Sequence, residues 1–213
     1  MRVLTTASHP GPLTSASRVG LTAIKMPGRR ESYAERRERR AAVDDPAVVL
    51  DAAARFLETR SRSVAEVRRR LTTAGYRSDL IDGAITRLSE LGMLDDEAFA
   101  RLWVESRDRA RPRGERALRD ELRLKGIDRS IVDLVLDERR ATDVDAAMAP
   151  DRTAAERLLE KNARTLRRIA DPRQRRQRAY ALLARNGFDP ETCREVATTV
   201  TTMDDELDGD VPA

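Results

Sequence analysis

Three short segments of the chain share one pattern: a leucine, three further residues, a glycine and then a large apolar residue. They are Leu71-Thr72-Thr73-Ala74-Gly75-Tyr76, Leu122-Arg123-Leu124-Lys125-Gly126-Ile127 and Leu183-Ala184-Arg185-Asn186-Gly187-Phe188. Glycine readily adopts the left-handed backbone conformation that ends a helix, and the apolar residue after it covers the helix end. Each segment therefore predicts the end of a helix, and the recurrence indicates an internal repeat.

Apolar residues at helical spacing predict one helix before and one helix after each of these segments. In the first repeat, Pro46 suits a helix start, Ser63 and Glu66 form a capping-box pattern, and Gly92 follows the third helix. The second repeat begins with a cap at Asp95 or Asp96. Its first helix is predicted to face inward with Phe99, Leu102, Trp103 and Ser106, and its third helix with Ile131, Leu134 and Val135.

The sequence thus predicts an all-α protein, an elongated and curved array of three tandem three-helix repeats. Units of this size have a marginal core of their own, so they are expected to lean on their neighbours. We place the repeats at residues 46–93, 94–140 and 153–203, with a linker at 141–152. Residues 1–45 are interpreted as a disordered basic leader, in which residues 29–40 form at most a frayed helix with almost nothing to bury. Residues 204–213 are interpreted as a disordered acidic tail.

The composition of the 213 residues argues against several classes of protein. No apolar run approaches the roughly 18 residues that a membrane span needs. The single cysteine, Cys193, allows no internal disulfide, and the single histidine, His9, lies in a Ser/Thr/Pro-rich stretch away from any partner. None of the three lysines follows a glycine, so no phosphate-binding loop is encoded. We therefore expect a non-enzymatic protein of the cytoplasm without cofactor or metal, with Cys193 as a buried core thiol.

Arginine dominates the basic residues, with 38 copies against three lysines. Codon bias explains much of this preference, but the positions of the arginines carry information. Residues 60–77 have a net charge of +5, residues 107–125 of +4 and residues 164–178 of +6. Basic charge thus gathers around the middle helix of every repeat, which suits a polyanionic partner. Scattered, solvated arginines are the alternative interpretation.

The aromatic residues give no platform on which bases could stack. Six of them fit core or cap positions, and Tyr33 is predicted to be free. Since single-strand binders that read no sequence stack bases on exposed rings, direct base stacking is not predicted here. Contacts to the nucleic-acid backbone, or to a protein–DNA assembly, are favoured instead.

Several stretches of the sequence resemble the RecX family of bacterial recombination regulators. They are Ser63 to Leu71 with Gly75-Tyr76, Leu91 to Ala100, Arg107 to Gly114, and Glu121-Leu122 with Lys125-Gly126-Ile127. The resemblance is close over residues 46–140 and looser over residues 153–200. It implies tandem three-helix repeats that bind the RecA recombinase filament on single-stranded DNA. It further implies inhibition of filament growth, ATP hydrolysis and strand exchange, and no catalytic site in the regulator.

The residues expected to contact the filament and its DNA lie around the middle helices of the first two repeats. They are Arg68, Arg69, Arg107, Arg111, Arg113, Gly114, Arg116 and Arg119. Gly114 has two interpretations: a turn that lets a partner approach, and a helix start that needs no side chain. The alternative function is a sequence-independent nucleic-acid-binding protein that acts without a recombinase. We expect a monomer, because no long heptad pattern is present.

Overall fold

The computed structural model describes residues 31–141 and 150–205, and over these residues the chain forms ten α-helices and no β-strand. The all-α class predicted from the sequence is confirmed. The helices are α1 (Tyr33–Ala41), α2 (Pro46–Leu57), α3 (Val64–Ala74), α4 (Ser78–Glu90), α5 (Asp96–Ala110), α6 (Glu115–Leu124), α7 (Arg129–Ala141), α8 (Pro150–Arg167), α9 (Pro172–Arg185) and α10 (Pro190–Asp205).

Helices α2 to α10 form three consecutive groups of three, and each group has a hydrophobic core of its own. The first core includes Val49, Val67, Leu71, Ile81 and Leu88. The other two are built alike, around Phe99, Leu118, Leu122, Val132 and Leu136 in the second group and Leu159, Leu166, Leu183, Phe188 and Val196 in the third. The prediction of three tandem three-helix repeats is confirmed.

The local signals at the helix ends act as the sequence indicates. The Ser63 hydroxyl accepts a hydrogen bond from the Glu66 backbone N–H (3.1 Å), and the Glu66 carboxylate accepts one from the Ser63 N–H (3.4 Å). These bonds satisfy two of the amide groups that have no partner within a helix's first turn. Of the two candidate caps for α5, Asp95 is the one that caps the helix. Gly75, Gly126 and Gly187 all have positive φ angles.

The inward faces of two helices in the second repeat differ from the prediction. On α5 the buried residues are Phe99, Ala100 and Val104, whereas Leu102 is 53% exposed and Ser106 is exposed as well. On α7, Leu134 is 44% exposed, and Val132, Val135 and Leu136 are buried. Both helices are rotated about their axes relative to the prediction. The apolar spacing along each helix was compatible with more than one buried face, and tertiary packing determines which face is buried.

The first and second repeats meet at the ends of their middle helices. The Ser63 hydroxyl at the start of α3 donates a hydrogen bond to the Lys125 carbonyl at the end of α6 (2.6 Å). A Cβ atom added to Gly126 would lie only 2.3 Å from the Cβ of Ala65, in the first turn of α3. The Lys125 ammonium donates to the Glu66 carboxylate (2.8 Å). The start of α3 therefore rests directly on the C-terminal end of α6.

The second and third repeats are joined in the same way. The Gly114 N–H, just before α6, donates to the Asn186 carbonyl at the end of α9 (3.0 Å). A Cβ added to Gly187 would lie 2.4 Å from the Cβ of Ala117, in the first turn of α6. In both junctions a helix start supplies a hydrogen-bond donor and a small side chain to the next middle helix. One carbonyl group at the end of that helix, Lys125 in the first junction and Asn186 in the second, thereby gains a hydrogen-bond partner from the neighbouring repeat.

A buried ion pair adds to the junction between the second and third repeats. The Arg139 side chain on α7 is 8% exposed and donates to Asp108 (2.9 Å) and to Asp151 at the start of α8 (2.6 Å). The other Asp151 oxygen accepts from the Glu115 N–H (2.9 Å). Burial raises the pKa of the Asp151 carboxyl in spite of these bonds. The arrangement fixes α6, α7 and α8 relative to one another.

Helix α1 covers the C-terminal end of α3, which no repeat occupies. The Tyr33 hydroxyl donates to the Thr73 carbonyl (2.8 Å), and a Cβ added to Gly75 would lie 2.5 Å from Cγ of Arg37. The Arg40 guanidinium lies 5.8 Å from the centre of the Tyr76 ring. Cations are favoured at this negative end of a helix. Helix α1 thus makes the contacts at Gly75 that α3 and α6 make at Gly126 and Gly187.

This finding corrects the interpretation of residues 1–45 as a disordered leader with at most a frayed helix. Residues 33–41 are helical, and Tyr33 has a hydrogen-bond partner, because the end of α3 offers unpaired acceptors that a charge pattern alone does not reveal. Helices also extend into the predicted linker (residues 141–152) and into the predicted acidic tail (residues 204–213). Helix α7 extends to Ala141, α8 begins at Pro150, and α10 extends to Asp205. Residues 1–30, 142–149 and 206–213 lie outside the described part.

Replacing Gly126 by alanine should destabilise the protein more than replacing Gly92 by alanine. Both glycines have left-handed φ angles, +78° and +67°, so both substitutions carry the same backbone cost of about 1–2 kcal/mol. An added Cβ at Gly92 meets nothing within 4 Å, whereas at Gly126 it meets Ala65. We expect an additional loss of about 1–3 kcal/mol for G126A, measured by urea unfolding. Equal losses for the two variants would show that the junction is not tightly packed.

A protein that lacks residues 1–41 should unfold at a temperature several degrees lower than a protein that lacks residues 1–30. The shorter truncation keeps α1, which covers the C-terminal end of α3, whereas the longer one removes it. Circular dichroism of the two truncated chains measures this difference. Coincident melting curves would contradict a stabilising role for α1.

Replacing Glu66 by glutamine should reduce the loss of stability in acid. Burial alone would raise the pKa of Glu66, but hydrogen bonds from Lys125 and Arg60 outweigh it and lower the pKa from 4.5. The stabilisation is therefore present above pH 4.5 and is lost as the pH falls through the lowered pKa. Glutamine preserves the capping box but not the charge, so E66Q should cost about 1 kcal/mol at pH 7 and less below about pH 4.

The exposed pair of Arg87 and Glu90 provides the control for this measurement, since it joins no repeats. The E90Q variant should follow the wild-type dependence of the unfolding free energy on pH. If E66Q also followed it, the Glu66–Lys125 contact would contribute nothing to the junction.

Candidate functional site

The candidate site centres on the loop Arg111-Pro112-Arg113-Gly114, which joins α5 to α6 in the second repeat. Pro112 is fully buried and holds the loop against the protein. Arg111 and Arg113 extend from either side of it, the first exposed and the second half-buried. The loop therefore has a fixed conformation that presents the two guanidinium groups differently.

Gly114 lies in the junction between the second and third repeats. It precedes the first residue of α6 with an ordinary extended backbone, φ −72° and ψ 159°, so conformational freedom is not what the position requires. An added Cβ would lie 2.4 Å from the carbonyl carbon and oxygen of Gly187. The structure places Gly114 at the start of α6, in close approach to the end of α9.

Arg107 belongs to a compact cluster around Trp103, the one tryptophan in the sequence. Its Nε donates to Glu121 (2.6 Å), and its guanidinium carbon lies 4.3 Å from the centre of the indole ring. The indole Nε1 donates to the same carboxylate oxygen (2.8 Å), and the Lys125 ammonium lies 4.7 Å from the ring centre. The charge of Arg107 is therefore balanced within the protein, and the ring is covered by two cations.

Arg113 and Arg119 are likewise engaged by groups of the protein. Arg113 donates to the side-chain oxygen of Asn186 and lies 3.5 Å from Glu121. Arg119 donates to Asp133 and to Glu115 (2.9 Å). The hydrogen bond from Arg119 lowers the pKa of Asp133. The guanidinium groups of these two arginines already have partners within the protein. The two arginines therefore hold neighbouring helices together at the site.

The remaining predicted arginines are more accessible. Arg68 pairs with Asp82 across α3 and α4 and is about half exposed. Arg69, Arg111 and Arg116 are exposed, and none of them has an ion-pair or hydrogen-bond partner for its side chain among the residues that the structure describes. Arg111 and Arg116 flank Gly114, whereas Arg69 lies on α3 in the first repeat. The structure thus brings two of these three free guanidinium groups to one loop.

The third repeat carries basic residues that the predicted site did not include. Residues 161–188 contain nine basic residues and a single acidic one, Asp171. Several of these arginines are exposed and have no ion-pair partner in the described part of the chain, among them Arg164, Arg176 and Arg185. The excess of charge over residues 164–178 was visible in the sequence. This excess of charge matters because Arg107, Arg113 and Arg119 of the second repeat are paired within the protein.

Other kinds of site find little support in the described residues. Cys193 is fully buried, with its sulfur 3.6 Å from the Phe188 carbonyl oxygen, and burial raises the pKa of the thiol. Over residues 31–141 and 150–199, no three potential metal ligands of the His, Cys, Asp or Glu type converge. None of the helices described there combines the length and the apolar character needed to cross a membrane.

Each of the three repeats matches a separate domain of a known protein family. The first matches "RecX, first three-helix domain" over residues 50–88 and the second "RecX, second three-helix domain" over residues 95–136. The third matches "RecX, third three-helix domain" over residues 151–197. The domains occur in the order in which their descriptions number them.

Two curated relatives are similar to this chain over most of their length. Regulatory protein RecX of Mycolicibacterium vanbaalenii is 35% identical over 150 residues, which cover 68% of this chain and 77% of that protein. Regulatory protein RecX of Chlorobaculum tepidum is 35% identical over 163 residues, which cover 75% of this chain and 94% of that protein.

A solved structure shares the fold. The crystal structure of RecX from Lactobacillus salivarius superposes with a TM-score of 0.61 at 21% identity, and the match covers 75% of this chain and 98% of that one. Since all three domains match in order and two relatives are 35% identical over most of their length, this chain belongs to the RecX family of regulatory proteins.

Proposed function

We propose that this protein is a negative regulator of the RecA recombinase. It binds the RecA filament on single-stranded DNA and inhibits filament growth, ATP hydrolysis and strand exchange. It acts in the cytoplasm as a monomer and by binding, without a catalytic centre of its own.

Membership of the RecX family supports a regulatory role, and one observation on the structure supports the mode of binding. Arg111 and Arg116 are exposed and lack intramolecular partners in the described residues, although nearby Arg107, Arg113 and Arg119 are all engaged. A free guanidinium group can form two parallel hydrogen bonds with a phosphate or a carboxylate. An anionic partner therefore finds these two groups available without breaking an existing ion pair.

The predicted site residues divide into two roles under this proposal. Arg69, Arg111 and Arg116 contact the filament or its DNA. Gly114 and the paired arginines keep the repeats and the loop in place for that contact; these arginines are Arg68, Arg107, Arg113 and Arg119. This division differs from a uniform strip of contacting arginines, and it predicts different consequences for substitutions in the two groups.

Charge reversal at the two free positions tests the proposal. The variant R111E/R116E should need at least about tenfold more protein for half-inhibition, because it replaces two attractive charges by two repulsive ones. The measurement is ATP hydrolysis by preformed RecA filaments on single-stranded DNA with substoichiometric regulator, together with filament length by electron microscopy.

The variant R173E/R176E is the matched control. Both arginines are exposed and without ion-pair partners in the described residues, and they lie near the start of α9. This variant undergoes the same change in net charge and should inhibit as the wild type does. If a folded R111E/R116E protein gave the wild-type inhibition curve, the assignment of these residues would be wrong.

A sequence-independent nucleic-acid-binding function is the second candidate, and the basic third repeat favours it. With nine basic residues against one acidic residue, the segment 161–188 of this repeat would attract nucleic acid without a recombinase. This function predicts tight binding to bare DNA and no preference for filaments. The regulatory function predicts modest binding to bare DNA and stronger action on preformed filaments, so parallel titrations distinguish the two.

A further inference from the structure

Helices α8 and α10 of the third repeat leave an open groove between them. Short loops connect α8 to α9 and α9 to α10, and both outer helices pack against α9, so α8 and α10 run in the same direction. Near their starts, Arg152 lies 3.9 Å from Glu195. The groove has a volume of about 660 Å³, and its lining includes Thr199 on α10 and Arg167, the last residue of α8. It therefore extends to the C-terminal end of α8.

The floor of this groove is apolar. Ala163, Leu166 and Val196 line it, and the last two belong to the hydrophobic core of the third repeat. An apolar surface with a polar rim is typical of a site that another chain segment covers. The groove therefore suits a peptide that carries apolar side chains.

The rim of the groove carries an excess of positive charge. Arg157 and Arg167 on α8 line it, and both are exposed without an ion-pair partner among the residues that the structure describes. Two carboxylates line it as well: Glu156 is paired with an arginine one turn earlier on α8 (3.2 Å), and Glu160 lies between the two arginines along the helix. Residues 157–168 contain five basic residues against this one further carboxylate, so the rim attracts negative charge.

The chain beyond α10 has the composition and the starting point to occupy this groove. Residues 206–213 read Glu-Leu-Asp-Gly-Asp-Val-Pro-Ala, with three acidic side chains, no basic one and two large apolar ones. Helix α10 ends at Asp205, at the same end of the repeat as Arg167. From there, eight residues reach up to roughly 28 Å, whereas Arg157 and Arg167 are roughly 15 Å apart along α8. The segment is therefore long enough to pass both arginines.

We propose that residues 206–213, which we call the C-terminal segment, bind within the same molecule in the groove between α8 and α10. The segment enters beside Arg167 and runs back along α8 towards Arg157. Leu207 and Val211 contact the apolar floor, and the carboxylates of the segment pair with the two arginines. Bound in this way, the segment shields the arginines of α8 from other anions. The inference goes beyond the proposed function and does not depend on it, because it concerns a contact within the chain.

Paramagnetic broadening of amide signals in the full chain tests this inference. A nitroxide is attached to the variant A213C; because Cys193 is fully buried, the label reacts at position 213. The proposal places this position near Arg157. The amide signals of residues 153–160 should therefore lose the most intensity relative to the sample in which ascorbate has reduced the nitroxide. A segment that is only tethered at the end of α10 would instead broaden residues 164–178, which lie at that end of the repeat.

Two variants of the labelled protein separate the contributions of charge and of apolar contact. R157E/R167E makes the rim repel the segment, and L207S/V211S removes the apolar side chains without a change in net charge. Both should move the strongest loss of intensity from residues 153–160 to residues 164–178. R173E/R176E is the matched control for charge, since these exposed arginines lie outside the groove, and it should keep the pattern of the unsubstituted protein.

Retention on a heparin column measures the shielding of α8 from an external polyanion. L207S/V211S has the net charge of the wild type, yet release of the segment exposes the arginines of α8. This variant should therefore elute at a higher salt concentration than the wild type. Elution of both proteins at the same salt concentration would contradict the shielding.

Two outcomes of the broadening experiment would overturn the assignment. Losses centred on residues 164–178 in the unsubstituted chain would show that the segment does not enter the groove. Spin-labelled protein without ¹⁵N is also mixed with ¹⁵N-labelled wild type. A loss around Arg157 in that mixture would show that a second copy fills the groove. Neither outcome depends on whether the protein inhibits RecA, so the proposed function is judged separately.

Discussion

The three repeats are held together where one helix ends and another begins. At the C-terminal end of α6 and of α9, the last carbonyl groups have no partner within their own helix, and the start of the preceding middle helix supplies one. The contact also requires close approach, which glycine at the end of one helix and alanine in the first turn of the other permit. The loop, the free arginines and the buried Arg139 all owe their relative positions to these junctions.

Structural features that depend on only a few neighbouring residues could be predicted from the sequence. The Ser63–Glu66 capping box, the helix-ending glycines and the small cores follow from local geometry and from apolar spacing, so the all-α class and the three repeats could be predicted. Where spacing left several faces open, as for Leu102 and Leu134, tertiary packing chose a different one. At α1 the sequence indicated at most a frayed helix, because the stability of this helix depends on acceptors at the distant end of α3.

The candidate site illustrates a second limit of sequence reasoning. A run of arginines indicates local charge, but it does not show which guanidinium groups are paired across helices. Arg107 and Arg111 are four residues apart, yet the first is paired with Glu121 and stacked on Trp103, whereas the second is free in the described structure. Partners such as Glu121 and Asp133 lie 14 residues from the arginines they bind. The spatial arrangement of carboxylates therefore determines which arginines an external anion can reach.

The start of α9 carries different groups from the starts of α3 and α6. Because of this difference, a fourth three-helix repeat could not be joined there in the way that the three repeats are joined to one another. Its cap, Asp171, offers a carboxylate that accepts hydrogen bonds, whereas Ser63 and Gly114 offer donors to a facing carbonyl. Arg173 and Gln174 stand where the other helices carry alanine. A further helix end brought here would meet like partial charges and bulky side chains. With α1 covering the opposite end, neither end of the array offers, in the described part of the chain, the pairing of helix end and helix start that joins the repeats, and this pairing therefore does not favour head-to-tail docking of a second molecule.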